Sequence, residues 1–83
     1  MSPEQSRAAR GWLGWSQADF AAKANVSIST VRDFEKGRHA PIGNNITALR
    51  RALESAGLRL MFDENGCATG IERETAVDSA TAR

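Results

Sequence analysis

Apolar residues recur along this chain in two rhythms. Up to Gly57 they return every three or four positions, the spacing of one face of an α-helix; beyond Gly57 they return every second position, the spacing of a strand. Ser2-Pro3-Glu4-Gln5 has the form of a helix start, with Ser2 capping free backbone N–H groups, Pro3 tolerated in the first turn and Gln5 reaching back. A first helix is predicted to about Leu13: Ala9 and Leu13 form its apolar stripe, Trp12 lies beside it, and Gly14 closes it by accepting a positive φ at little cost. Ser16-Gln17-Ala18-Asp19 repeats the start signal, with an acid facing the positive end of the helix dipole. The second helix runs to about Ala24, anchored by Phe20, with Ala21 and Ala22 allowing close approach. Asn25 tolerates the left-handed conformation and turns the chain, and Val26 is expected to plug the core.

Ser27 caps a third helix predicted to end near Gly37. Projected around its axis, Val31 and Phe34 fall on one side, and Ser29, Arg32, Asp33 and Lys36 on the other. After a loop containing Pro41, a fourth helix is expected from Gly43 or Asn44 to Gly57, with Ile46, Leu49, Leu53 and Ala56 on its core face. Leu58, Leu60 and Phe62 then alternate with Arg59 and Met61, and Asn65-Gly66 is a strong two-residue hairpin signal, so strands are predicted at 58–63 and 67–72. The tail from Arg73 has Val77 as its one sizeable apolar residue and is expected to be disordered. The predicted fold is therefore mainly α: a four-helix helix-turn-helix domain over residues 1–57, a short β-hairpin over 58–72, and a tail over 73–83.

Eighty-three residues suit one domain with a modest core. With no apolar run of bilayer length and no basic-then-apolar start, the protein is expected to be soluble and cytoplasmic, with no membrane partner. Cys67 is the single cysteine and His39 the single histidine, so neither an internal disulfide nor a cysteine-rich zinc site is available, and a catalytic triad would depend on His39 alone. An enzyme, a metal site and a cofactor are not expected. The net charge is only +1, but residues 1–57 carry eight Lys/Arg against five Asp/Glu, and residues 58–83 three against five. This mild basic excess on the helical part would not by itself point to nucleic acid.

The third helix changes that picture. A solvated surface helix favours Glu, Lys and Gln, whereas this one opens with Ser27, Ile28, Ser29 and Thr30, which are poorer helix formers. Short hydroxyl side chains let the backbone approach a DNA groove and bond base edges, an exposed Ile28 can touch a thymine methyl, and Arg32 can make paired bonds to guanine. Lys36, Arg38 and His39 are placed to contact phosphates. Asn44 is a candidate for the same role at a helix start, where a plain cap explains it equally well. The two tryptophans, Trp12 and Trp15, are read as core residues rather than a base-stacking platform.

On these features the sequence resembles the Cro and phage-repressor class of helix-turn-helix regulators, the XRE family. The resemblance rests on Arg10, Gly14-Trp15-Ser16-Gln17, Phe20-Ala21, Val26-Ser27, Val31 and Phe34-Glu35-Lys36-Gly37, then Pro41 and the Leu49/Leu53 helix, and it covers roughly residues 5–56. It departs at Asn25, where Gly is usual, and at Trp15, where an aliphatic residue is usual. The resemblance implies base contacts from Ile28, Ser29, Arg32 and Asp33. It also implies that Gln17 holds the DNA backbone and supports the recognition helix; Ser16 and Ser27, the capping hydroxyls of the second and third helices, are further candidates for backbone contact. Arg10 and Glu35 are expected to form a structural salt bridge between the first and third helices. Double-stranded DNA is thus the expected partner of a sequence-specific regulator, read as a repressor that occludes an inverted-repeat operator as a homodimer. The hairpin is the expected dimer element, with helix four as a further candidate. The competing reading is a protein-interaction module, such as an antitoxin or antiactivator, that uses the same fold to hold a protein.

Overall fold

A computed structural model describes residues 1–37 and 43–74. The elements follow in the order α1 (Pro3–Leu13), α2 (Gln17–Ala24), α3 (Ile28–Glu35), α4 (Gly43–Ser55), β1 (Leu58–Phe62) and β2 (Ala68–Arg73). This is the mainly helical architecture, with a C-terminal hairpin, that the periodicity predicts. The loop around Pro41 and the tail beyond Glu74 lie outside the described residues.

Local chemistry sets the helix boundaries. Ser2 and Gln5 form a reciprocal capping box on α1, as do Ser16 and Asp19 on α2, and the Ser27 hydroxyl accepts from the Thr30 amide to start α3. Gly14 ends α1 at φ 72°, and Asn25 ends α2 at φ 59°, both left-handed. Asn25 is the one non-glycine residue at positive φ among those described. Its short polar side chain fits a position that would strain most L-residues. At the end of α3 the helix stops at Glu35, two residues before Gly37.

Phe20, Val31, Leu49, Leu53 and Leu58 are almost completely buried in one core, with Ala9 filling the space beneath α1. Burying each larger apolar side chain contributes roughly 1.5–3 kcal/mol. Two expected core positions fall elsewhere. Trp12 is 62% exposed, and Ala56 is exposed just past the end of α4. On α1 the inward side is set by Gln5, Ser6 and Ala9, and Trp12 is rotated away from it. Trp15 is half-buried, with its ring centroid 5.9 Å from that of Phe20.

The hairpin is antiparallel, pairing Leu58 with Arg73, Leu60 with Ile71, Met61 with Gly70 and Phe62 with Ala68, so Thr69 has no partner and forms a bulge. The connection is a three-residue loop, Glu64 to Gly66, rather than a two-residue turn. Asp63 N–H donates to the Cys67 carbonyl (2.9 Å), and Asp63 Oδ1 accepts from the amides of Asn65 (2.8 Å) and Cys67 (3.0 Å). Only Gly66 takes the left-handed conformation there, at φ 83°; a two-residue Asn-Gly turn would need Asn65 there as well. Leu58 and Leu60 bury themselves in the helical core, whereas Met61 and Phe62 are 40% and 43% exposed.

The side chain of Gln5 ties the hairpin to α1. Its Oε1 accepts from the Ser2 amide at 2.9 Å, while Nε2 donates to the carbonyls of Met61 and Gly70, each at 2.9 Å. One buried amide therefore completes the N-cap of α1 and satisfies both strands beside the bulge.

Candidate nucleic-acid interface

The α2–turn–α3 unit presents one side of α3 to solvent. Val31 and Phe34 are buried, and Ile28, Ser29, Arg32 and Lys36 are exposed on the opposite side. Asp33 is half-buried, so it lies at the flank of this surface rather than at its crest. At the N-terminal end three hydroxyls cluster: Ser27 Oγ is 3.1 Å from Ser29 Oγ and 2.9 Å from Thr30 Oγ1. The Ser29 hydroxyl is thereby held near the helix start, where free N–H groups and the helix dipole favour an approaching phosphate. Ser16, Ser27 and Asn44 are exposed, although the Ser16 hydroxyl already accepts from the Asp19 amide at 2.9 Å. Arg38 and His39 lie outside the described residues.

Behind this surface sits a buried carboxylate. The Glu35 side chain is 3% exposed and is gripped by Arg10, itself 20% exposed, through Nε to Oε2 (2.9 Å) and a terminal nitrogen to Oε1 (2.8 Å). The Ser6 hydroxyl donates to Oε2, and Gln17 Nε2 donates to Oε1 at 3.1 Å. Arg7 adds a bond to the Glu35 backbone carbonyl, and Arg10 reaches the Trp15 carbonyl at 3.3 Å. Burial pushes the Glu35 carboxyl up, but the hydrogen bonds from Arg10, Ser6 and Gln17 and the Arg10 charge prevail and hold it below the ordinary carboxylate range. Its hydrogen bond to Glu35 likewise raises Arg10 above the ordinary guanidinium value.

Gln17 is therefore engaged with Glu35, at the base of α3. Its half-buried amide links the first residue of α2 to the last residue of α3. Ser6 carries no signal of burial in the sequence, where a serine on a helix looks like surface; its full burial follows from facing Glu35. Thr30 shows in the sequence only as a poor helix former, although its hydroxyl joins the Ser27 cluster.

A fold of capped helices with one bared, hydroxyl-rich recognition helix defines a helix-turn-helix nucleic-acid-binding domain. The family model described as helix-turn-helix matches residues 7–58. The chain belongs to that family, the Cro/phage-repressor (XRE-type) helix-turn-helix proteins, and is a DNA-binding regulator in the general sense. No curated protein matches the chain. No helix among the described residues is long and apolar enough to cross a membrane.

Proposed function

We propose that the protein is a sequence-specific transcriptional repressor that binds an inverted-repeat operator as a homodimer and blocks it by occupancy. The observation that carries this reading is the two-sidedness of α3, with Val31 and Phe34 inward and Ile28, Ser29 and Arg32 bare. In this reading Arg32 bonds a guanine, Ser29 a base edge, Ile28 a thymine methyl, and Asp33 a cytosine amino group at the flank. Ser16, Gln17, Ser27, Lys36, Arg38, His39 and Asn44 hold the backbone. Gln17 Nε2 gives one N–H to Glu35, which fixes the amide against α3, and its second N–H is the donor left for a phosphate.

Mobility-shift titration against sequences selected from random DNA tests the proposal. Arg32→Ala and Ser29→Ala are expected to lose roughly 1–3 kcal/mol of discrimination each at their own base positions. Binding indifferent to both substitutions would instead favour the protein-interaction reading. The dimer is assigned to the hairpin because Met61 and Phe62 leave apolar surface exposed there, with α4 as a second contact. Removing the hairpin would cut Leu58 and Leu60 out of the core, so sedimentation of Met61→Lys and Phe62→Lys chains is the sounder test. An unchanged oligomeric state in both would refute this interface.

A further inference from the structure

The groove between α2 and α4 plays no part in the DNA reading. Ala24, Ala48 and Ala52 line it, Trp15 forms a wall, Lys23 and Arg51 stand at its edge, and its volume is about 460 Å³. Since α2 packs against both α3 and α4, the groove opens on a different side of α2 from the recognition helix. Lys23 Nζ lies 5.8 Å from the centroid of the Trp15 ring. The ion pairs among the described residues are Arg10–Glu35, Arg50–Glu54 and Arg59–Glu72, so neither groove cation meets a carboxylate there. No acidic side chain among the described residues lines the groove.

The floor carries alanines four residues apart on α4, which lets another backbone approach closely. The groove is more open than enclosed, so a small molecule would leave more surface wet than the roughly 10–30% typical of pocket ligands. A protein segment has no such limit. We propose that the α2–α4 groove docks a helix of another protein that presents an aliphatic ridge flanked by Asp or Glu. The ridge covers the alanines and the Trp15 face, and the carboxylates meet Lys23 and Arg51. The regulator then has a protein-docking surface separate from its DNA-reading one.

The test uses the full chain carrying Trp12→Phe, which leaves Trp15 as the sole indole. The probe is a blocked synthetic peptide with leucines at i, i+4, i+7 and i+11 and glutamates at the flanking positions. The same peptide with lysine for glutamate, and decanoate, are the controls. The glutamate peptide is expected to shift Trp15 emission and the amide resonances of Lys23, Ala24 and Ala48 to Ala56, and the lysine peptide to leave them unmoved. Lys23 and Arg51 are exposed, so the K23E/R51E double variant is expected to stay folded, with a thermal midpoint lowered only slightly by the acid in the last turn of α2, and to bind the glutamate peptide about tenfold more weakly. The proposal is overturned by no response to the glutamate peptide, equal response to both peptides, unchanged affinity in the double variant, or an equally strong response to decanoate.

Discussion

Replacing Arg10 by Met keeps the length and apolar stem of the side chain while removing both bonds to Glu35. The carboxylate stays buried with only the Ser6 hydroxyl and the Gln17 amide as donors. Breaking a buried pair by removing one partner costs about 3–5 kcal/mol, and the two remaining neutral donors place this case near the lower end. In a domain of this size about 3 kcal/mol lowers the thermal midpoint by roughly 12–24 °C. The pH dependence makes the test specific. In the parent, Glu35 has a depressed folded pKa, so its contribution is complete above the unfolded carboxylate value of about 4.3 and is lost as pH falls through the lower folded value. In Arg10→Met both downward contributions of Arg10 are gone while burial and the Ser6 and Gln17 bonds remain, so the folded pKa lies above the parent's. That variant gains less from ionising Glu35 than the parent does, and the difference disappears once the carboxyl is protonated in both. Thermal melts of both chains, from neutral pH down through the carboxylate range, should therefore show a gap that is wide at neutral pH and narrows in acid. Equal midpoints at neutral pH, or a gap that does not change with pH, would refute the reasoning.

Three further outcomes follow from other contacts. Gln5→Leu strands the carbonyls of Met61 and Gly70; the expected loss is about 2–4 kcal/mol, with faster amide exchange concentrated in the hairpin, and uniform exchange would count against the clamp. Asn25→Ala forces an alanine to φ 59° and is expected to cost about 1–2 kcal/mol by denaturant titration, whereas Asn25→Gly stays near the parent. If Lys36 meets a phosphate, Lys36→Ala lowers the slope of log affinity against log salt by about one without changing base preference; an unaltered slope removes Lys36 from the interface.

The first three helices were legible because each begins with a hydroxyl cap and buries residues at helical spacing, and α4 because Leu49 and Leu53 keep that spacing, signals that act within one or two turns. Trp12 escaped the pattern because a large aromatic next to an apolar stripe looks like core, and only the packing of Gln5 and Ser6 against distant partners fixes how α1 is rotated. The hairpin was visible in the alternation from Leu58 to Phe62. Its loop length was not, since Asp63, rather than Asn65-Gly66 alone, sets the turn. The outward side of α3 followed from Val31 and Phe34. The junction at Glu35 was only half visible: the opposite charge on Arg10 suggested a partner, but Ser6 and Gln17 join it through contacts 29 and 18 residues apart in sequence.

Gln5 fastens the first turn of α1 to the hairpin, and Arg7 and Arg10, further along the helix, fasten it to the last residue of α3. In a dimer joined through its hairpins, that helix acts as a strut of fixed length between the joint and each reading head. The distance between the heads is then a property of the folded protomer rather than of a pliant linker. In such a dimer, inserting a single base pair between half-sites would turn one of them by about a tenth of a helical revolution, and binding is expected to weaken because the heads are held at one spacing.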